Sequence, residues 1–469
     1  MLGYHEPTRI LGAFIPQGQP NTPGCIRALS ACGSITYPVD LMRVLILGGG
    51  GREHALTARC AEERDVSEIV VTPGNPGIAT LARLASVDIS DAASLLDLAE
   101  REQVDLTVVG PELPLSLGVV DAFVRERRLI VGPSQAAARL ETSKAFAKDF
   151  MWRHGVPTAR FHTCETADEA VKVVQSSLFG FPVVLKADGL AGGKGVVVAA
   201  TAEEAQRAIH RTMVDRRFGT AGARLVIEEC LVGPEVSFFA LCDGLHAVPI
   251  GTAQDHKRVF DDDQGPNTGG MGAFAPSPLV VPALADRVMR DVVTPVLSGM
   301  AAEGYPFRGF LYAGLMLTAD GPKVIEFNVR LGDPEAQVLL SLVDEPLLPL
   351  LVASACGELR QRAVRLSPEV RVGVVLASRG YPDRSESGRP ISGIESAERL
   401  AGVTVFHAGT AKQDGQIVTA GGRVLTVVGA GSDFSSAIER AYAGVREVVF
   451  DGMQYRRDIG RRALGAPTR

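Results

Sequence analysis

The run PVVLKADGLAGGKGVVV, at residues 182–198, carries one lysine before a glycine-rich loop and a second lysine within it. The apolar residues before Lys186 predict a short buried strand that ends at this lysine. Three glycines surround Lys194 in the loop that follows, and they are Gly192, Gly193 and Gly195. Without side-chain bulk, the backbone N–H groups of this loop can close on an anion. The spacing is not that of a P-loop, yet two cations and a glycine cradle predict a polyphosphate site, with an ordinary β-hairpin as the alternative.

A row of polar side chains is predicted along a later strand, in the run KVIEFNVRLGDPE at residues 323–335. Side chains alternate across a strand, so Glu326, Asn328 and Arg330 share one face. The opposite face is apolar and consists of Ile325, Phe327 and Val329. A carboxylate and an amide oxygen two positions apart suit a Mg²⁺ ion that bridges nucleotide phosphates. Arg330 could hold a carboxylate or a transferring phosphoryl group, and a solvated polar face is the alternative.

A glycine turn follows the first predicted strand, with Gly48 and Gly50 placed as in a dinucleotide-binding motif. The third position of GxGxxG is Glu53, where close helix packing requires Gly or Ala. The second strand ends in TPGN, without an acid for a ribose hydroxyl. An NAD-dependent oxidoreductase is therefore the disfavoured alternative, whereas a turn of this kind at a helix N-terminus suits a single phosphate.

Composition limits the classes of function. The 469 residues are too many for one typical core, and a net charge of −6 argues against a general nucleic-acid surface. Seven cysteines without CxxC spacing suit a reducing cytosol. No apolar run reaches the roughly 18–20 residues that span a bilayer. We therefore expect a cytoplasmic protein of several domains with local sites for anionic substrates.

Strands and helices alternate from Met42 onward, which predicts a doubly wound N-terminal domain. The preceding residues 1–41 carry five prolines and no sustained period, so we expect a disordered leader or a misassigned start codon. Ser143 is predicted as the N-cap of a helix that runs to about His154. Beyond residue 366, short strands with glycine turns and a helix around residues 434–448 predict a small α/β C-terminal domain.

Further motifs occur in order along the chain, from MRVLILGGGGREHAL at residue 42 through TPGNPG, SKAFAKDF, IEECLVGPEVSF, QDHKR, GPNTGGMGAF and GFLYAGLM to YRRDIGRRAL. Together with the two runs above, they resemble the ATP-grasp superfamily and, within it, the family of glycinamide ribonucleotide synthetases. The resemblance implies an ATP-grasp fold, with an N-terminal substrate domain at 42–142, an ATP-grasp domain at 143–366 and a C-terminal domain at 367–469. It also implies ATP-dependent ligation of glycine to 5-phospho-D-ribosylamine through glycyl phosphate, by a monomer that uses Mg²⁺ or Mn²⁺. Another ATP-grasp carboxylate–amine ligase of purine synthesis is the nearest alternative.

The resemblance also implies roles for individual residues. Lys144 and Lys186 would contact the ATP phosphates, and Lys194 with its glycines would cover them. The hinge contacts of the nucleoside are expected at Glu228, Glu229, Leu231 and Glu235. Glu326 and Asn328 would bind the metal, and Asp255 and Arg330 would hold glycine. The phosphoribosyl substrate is expected at Gly50, Gly51, Arg52, Asn75, Pro111 and Glu112.

Overall fold

The first segment of the chain is built on buried apolar strands. The computed structural model describes residues 41–176, 178–190, 195–360 and 363–465. Its first elements are β1 (Met42–Gly48), α1 (Gly51–Ala61), β2 (Val66–Pro73), β3 (Arg83–Leu84), α2 (Ala92–Arg101), β4 (Leu106–Val109), α3 (Glu112–Ser116), α4 (Val119–Arg125), β5 (Leu129–Val131) and α5 (Arg139–Thr142). The strands pair in parallel in the order β3-β2-β1-β4-β5. This confirms the predicted doubly wound sheet, whose ligand side is at the carboxyl ends of the strands.

A second segment forms a small antiparallel sheet. Its elements are α6 (Lys144–Arg153), β6 (Phe161–Cys164), α7 (Ala167–Gln175), β7 (Val183–Ala187), β8 (Val196–Ala199), α8 (Ala202–Ile209) and β9 (Leu225–Glu229). The strand order is β6-β9-β7-β8. Ser143 caps α6, because its Oγ accepts a hydrogen bond from the Phe146 amide at 3.1 Å, and the helix ends before His154 as expected.

The rest of the chain contributes to one large antiparallel sheet. The strands of this part of the chain, eight of which form the large sheet, are β10 (Glu235–Asp243), β11 (Ala247–Asp255), β12 (Arg258–Phe260), β13 (Gln264–Asn267), β14 (Gly272–Ala275), β15 (Arg308–Thr318), β16 (Gly321–Asn328), β17 (Val370–Ala377), β18 (Val403–His407), β19 (Thr410–Gln413), β20 (Gln416–Thr419) and β21 (Arg423–Gly431). The helices are α9 (Pro282–Val288), α10 (Thr294–Ala302), α11 (Glu335–Leu340), α12 (Leu348–Cys356), α13 (Ile394–Glu398), α14 (Phe434–Glu447) and α15 (Arg461–Leu464).

Eight of these strands lie in the order β16-β15-β10-β11-β14-β17-β21-β18, while β12–β13 and β19–β20 form separate hairpins. Strands β17, β21 and β18 therefore continue the sheet that carries the polar row, through pairing of β14 with β17. Arg423 at the start of β21 contacts Asp333 in the loop that follows β16. Within the described ranges, no helix is long and apolar enough to cross a membrane.

A β-bulge changes the predicted alternation in β16. Gly314 pairs with Glu326 and Leu315 pairs with Val324, so Ile325 is left between them without a partner in the ladder. Val324 takes the core position, together with Phe327 and Val329. The expectation that Ile325 shares their buried face is wrong, because the extra residue turns Ile325 toward the cavity described below.

Candidate active site

One cavity of about 360 Å³ collects most of the predicted site residues. Four parts of the fold meet there: the ends of the parallel sheet, helix α6, the small antiparallel sheet and the large sheet. We call it the main cavity. A second cavity of about 390 Å³, the hinge cavity, shares Lys186, Asp255 and Glu326 with it and extends to the end of β9.

A buried carboxylate between two lysines forms one wall. Glu228 lies 2.8 Å from Lys148 Nζ and 3.0 Å from Lys186 Nζ, and all three side chains are almost fully buried. Lys186 also donates to the Ile325 carbonyl at the bulge, at 2.9 Å. The side chain of Glu228 thus holds the two lysines in place. The nucleoside contact predicted for Glu228 would therefore be made by its backbone. Lys148 was missed by the sequence reasoning, although it lies one helical turn after Lys144.

The two lysines of α6 have different partners. Desolvation lowers the pKa of Lys148 to about 8, although the charge of Glu228 opposes this shift. Lys144 reaches the carbonyl of Gly189 at 3.3 Å and lines the main cavity. Gly195 lies on the same wall, whereas Gly192, Gly193 and Lys194 are outside the described residues. The cavity therefore presents lysine charge where the sequence predicts phosphates.

The hinge cavity contains the other predicted nucleoside contacts. Glu229 pairs with exposed Arg160 at 2.7 Å, and Leu231 lies beside Cys230 on the cavity wall. Glu235 pairs with Lys257, whose Nζ also lies 3.0 Å from Asp255 Oδ1. Leu231 is thus the apolar contact among these residues, and the carboxylates of Glu229 and Glu235 already have cationic partners.

Glu326, Asn328 and Arg330 all face the main cavity, as predicted. Burial alone would raise the pKa of Glu326, but the charges of Lys144, Lys257, Lys186 and Arg330 outweigh it and lower the pKa. Glu326 is therefore an anionic oxygen donor, and Asn328 Oδ1 is a neutral one.

This donor pair fits a divalent cation that takes its remaining ligands from phosphates and water. Among the described residues, no group of three or more His, Cys, Asp or Glu side chains could hold a metal ion alone. Mg²⁺ is usually bound by one or two protein oxygens plus substrate phosphates, which agrees with this small donor set. Asp320 lies in the turn before β16 with a side chain 83% exposed, so it supplies no third ligand.

Arg330 is held by two carboxylates. Glu141 at the end of α5 lies 2.9 Å from Arg330 Nη2 and accepts the Val329 amide at 2.8 Å, while Glu112 lies 3.3 Å from Arg330 Nε. Arg330 also donates to Asn328 Oδ1 at 3.0 Å. Burial lowers the pKa of Arg330, but the charges of the carboxylates outweigh it and hold the pKa above its ordinary value. Glu141 was not predicted, and it connects α5 to the polar row.

The side chain of Glu53 fills the glycine turn after β1. Glu53 Oε2 accepts the Gly50 amide at 2.7 Å, and Glu53 Oε1 pairs with Arg52 at 2.6 Å. The Glu53 side chain also fills the space over Gly48 and Gly110. A dinucleotide-binding turn requires Gly or Ala at the position of Glu53, whose side chain here fills the space over Gly48, and this weighs against the NAD-dependent alternative.

The remaining predicted substrate residues divide into two groups. Arg52, Pro111 and Glu112 line the main cavity. Asn75 is buried, donates to the carbonyls of Gly49 and His407 and accepts the Ile78 amide, so its side chain fixes the turn. Gly51 packs against Gln337 of α11. Asp333 and Arg423 also line the cavity, 3.5 Å apart, and were not predicted. Asp333 lies within the run at residues 323–335, but its partner Arg423 belongs to β21, so their pairing is not visible in any local motif.

Burial keeps two histidines near these motifs uncharged. His54 Nδ1 accepts the His407 amide at 2.8 Å, and burial lowers the pKa of His54 to about 3. Burial also lowers the pKa of His256 to about 3. Both imidazoles are therefore neutral at physiological pH, and neither lines the main cavity.

Three family models match consecutive parts of the chain. They are the N domain of phosphoribosylglycinamide synthetase at residues 42–141, its ATP-grasp (A) domain at 142–336 and its C domain at 371–462. Phosphoribosylamine–glycine ligase of Xylella fastidiosa (strain Temecula1) is 51% identical over 427 residues, which cover 90% of this chain and 98% of the relative. The enzyme of that name from Vibrio parahaemolyticus is 49% identical over 426 residues, or 90% and 99% of the two chains.

Solved structures agree with these sequence matches. Phosphoribosylamine–glycine ligase from Thermotoga maritima superposes with a TM-score of 0.78 at 36% identity, covering 89% of this chain and 99% of that one. Biotin carboxylase from Campylobacter jejuni has a TM-score of 0.69 at 16% identity, covering 92% and 96% of the two chains, and shares the fold. With all three domains matched in order and about half of the aligned residues identical to relatives that are covered almost completely, this chain belongs to the phosphoribosylglycinamide synthetase family.

Proposed function

We propose that this chain is an ATP-dependent ligase that joins glycine to 5-phospho-D-ribosylamine in purine biosynthesis. The products are glycinamide ribonucleotide, ADP and phosphate. The observation that carries the proposal is the main cavity itself. It combines buried lysines, an anionic carboxylate with a neighbouring amide oxygen, and a cluster of arginines and carboxylates in one space.

The reaction proceeds in two displacements. A carboxylate oxygen of glycine attacks the γ-phosphorus of ATP, and the bond to the leaving ADP oxygen breaks. The amine nitrogen of the ribosylamine then attacks the acyl carbon of glycyl phosphate, and the C–O bond to phosphate breaks. Activation is needed because a free carboxylate would have to expel oxide. The protein contributes positioning, charge neutralisation and exclusion of water from the acyl phosphate.

Nucleotide binding is assigned to the lysines and the hinge. Lys144 and Lys186 hold the phosphates, and the loop with Gly192, Gly193, Lys194 and Gly195 covers them. The nucleoside lies in the hinge cavity against Leu231, with Glu228, Glu229 and Glu235 orienting the surrounding cations and backbone. Supporting this placement, Glu228 fixes Lys186 at 3.0 Å.

Glu326 and Asn328 would hold a divalent cation, Mg²⁺ or Mn²⁺. When bound, the cation neutralises charge on the phosphates during transfer. Arg330 keeps Asn328 Oδ1 oriented toward the cavity before the metal arrives, supported by their 3.0 Å hydrogen bond.

The two remaining substrates occupy the other side of the cavity. Glycine is assigned to Asp255 and Arg330, which would pair with its ammonium and carboxylate groups. The ribosylamine is assigned to the turn at Gly50 and Gly51 with Arg52, Asn75, Pro111 and Glu112, where Asn75 acts by fixing the turn. We propose further that the enzyme is a cytoplasmic monomer.

Product identification tests this proposal. The protein is incubated with ATP, Mg²⁺, labelled glycine and ribosylamine formed in situ from ribose 5-phosphate and ammonia. We expect mass spectrometry to detect labelled glycinamide ribonucleotide together with ADP. Parallel mixtures in which labelled bicarbonate or formate replaces glycine, or in which NAD⁺ is added, test the alternatives: a labelled carboxylated or formylated nucleotide would favour another ligase of purine synthesis, and nicotinamide reduction would favour the oxidoreductase.

A further inference from the structure

A chain of hydroxyl groups ends at a carboxylate in the main cavity. Ser237 Oγ donates to the Tyr312 hydroxyl at 2.9 Å, and the Tyr312 hydroxyl donates to Glu335 Oε1 at 2.9 Å. All three residues are buried, and Glu335 is only 4% exposed. Tyr312 and Glu335 nevertheless line the cavity that holds the polar row. The mechanism above gives Glu335 no role.

Glu335 differs from the other cavity carboxylates in its partner. Most of them lie 2.8–3.5 Å from a lysine or arginine nitrogen, and these are Glu112, Glu141, Glu228, Asp255 and Asp333. Glu326 is assigned to the metal. In the described part of the chain, Glu335 makes no ion pair with a lysine or arginine, and its hydrogen-bond donor is a neutral hydroxyl. A carboxylate that is not tied to a cation can take up a proton at a lower cost.

The charges around Glu335 come from several elements. Asp255 of β11 and Lys257 after it face it from one side, Tyr312 of β15 from another, and Arg330 and Arg423 from the loop after β16 and from β21. Burial and the charge of Asp255 raise the pKa of Glu335 to about 7, while Lys257 and the Tyr312 hydrogen bond partly offset them. A base with a pKa near the working pH is well matched to proton transfer.

The second displacement releases a proton from the attacking nitrogen. As the ribosylamine nitrogen forms the C–N bond, the C–O bond to phosphate breaks and its electron pair stays on the phosphate oxygen. The nitrogen still carries a proton that the neutral amide product does not keep. We propose that Glu335 is the catalytic group that accepts this proton on a carboxylate oxygen, held in place by Tyr312 and Ser237. The proposal deepens the function proposed above and rests on it.

Comparison of two nucleophiles tests the proposal. Hydroxylamine is a weakly basic amine that traps glycyl phosphate as glycine hydroxamate and can give its proton to water, whereas the ribosylamine reaction needs the positioned acceptor. For Glu335→Gln we expect the turnover for glycinamide ribonucleotide to fall on the order of 10²- to 10⁴-fold. ATP-dependent hydroxamate formation should stay within a few-fold of wild type. The matched control is Glu100→Gln, an exposed carboxylate on α2 whose loss should change neither reaction.

The pH profile supplies a second readout. The wild-type rate should decline as the pH falls through about 7, because a protonated Glu335 cannot accept a proton. Tyr312→Phe removes a hydrogen bond to the ionised carboxylate, so the acidic limb should move to higher pH, and in Glu335→Gln this limb should be absent. If Glu335→Gln does not fold, as judged by its melting temperature and ADP binding, the Tyr312→Phe profile decides the matter.

Three results would overturn the proposal: wild-type ribosylamine turnover in Glu335→Gln, equal loss of both reactions in that folded variant, or an unshifted limb in Tyr312→Phe. These differ from failure of the ligase function itself. In that case the wild-type protein would form neither glycinamide ribonucleotide nor hydroxamate.

Discussion

At the scale of single residues, the site works by pairing charges of opposite sign inside a buried space. Lys148 and Lys186 share Glu228, and Arg330 is shared by Glu141 and Glu112. An isolated charge would be costly to bury, but each of these groups has its partner within hydrogen-bond distance. The arrangement leaves Glu326 ionised, because the surrounding cations lower its pKa.

Glu326→Gln tests the assignment of Glu326 and Asn328 as metal ligands. The change keeps the shape of the side chain but removes the charge that would offset a divalent cation, so we expect turnover to fall on the order of 10²-fold or more. The measurement is turnover as a function of Mg²⁺ and Mn²⁺ concentration, with circular dichroism to verify folding.

Asp320→Asn is the matched control for that variant, since Asp320 is an acid at the other end of the same strand with an exposed side chain. It should behave as wild type at every metal concentration. Equal metal dependence in Glu326→Gln and wild type would contradict the assignment.

At the scale of elements, the C-terminal segment anchors the hairpin next to the site. Arg456 is fully buried, lies 2.9 Å from Asp263 Oδ1, and donates to the Arg258 carbonyl at 3.1 Å. The β12–β13 hairpin that it holds begins directly after Lys257, the partner of Asp255. The segment therefore fixes the wall on which glycine is proposed to bind.

Arg456→Met should loosen this hairpin. Removing one partner from a buried ion pair leaves the carboxylate of Asp458 without its cation, whereas the half-exposed Asp263 keeps Arg462, so we expect the free energy of unfolding to fall by about 3 kcal/mol. We also expect KM for glycine to rise more than KM for ATP.

Denaturant unfolding and steady-state kinetics provide both numbers for Arg456→Met. Arg457→Met, at an exposed neighbouring position, serves as the control and should change neither. An unchanged unfolding free energy in Arg456→Met would show that the anchor does not contribute.

The elements also show what sequence could predict. Runs such as residues 44–47, buried on both faces, revealed the parallel strands, and the Ser143 cap fixed the start of α6 because both signals are local. The bulge at Ile325 and the pairing of β14 with β17 depend on partner strands elsewhere in the chain. Local motifs likewise indicated Lys186, Glu326 and Arg330. In contrast, Lys148, Glu141 and Glu335 became apparent only from their partners elsewhere in the chain.

At the scale of the whole molecule, the main cavity exists because distant segments contact each other. Helix α1 packs against α11, with Gly51 directly over the buried Gln337 side chain. Gln337 in turn donates to Asp333 Oδ1 at 2.9 Å on the cavity wall. The glycine turn is therefore held against the loop that follows the polar row.

Gly51→Ala tests this contact. A methyl group at Gly51 would overlap the Gln337 amide nitrogen, so this buried side chain must move away from its hydrogen bond with Asp333. We expect the free energy of unfolding to fall by about 1–3 kcal/mol, as overpacking usually does. Binding of ribose 5-phosphate and turnover should weaken, while ADP affinity is kept because the hinge cavity lies elsewhere.

Calorimetry with each ligand separates these two effects of Gly51→Ala. Gly465→Ala is the control, because a methyl group there meets no atom within 4 Å. Loss of ADP binding together with ribose 5-phosphate binding would contradict the separation of the two sites.

The central claim is that ATP cleavage is coupled to the joining of two substrates. The most direct measurement is ADP release by the purified protein with both substrates present, with glycine omitted, with ribosylamine omitted and with both omitted. We predict sustained ADP release only in the complete mixture, with one ADP per glycinamide ribonucleotide formed. Equal ADP release with and without ribosylamine, at saturating glycine, would contradict the account.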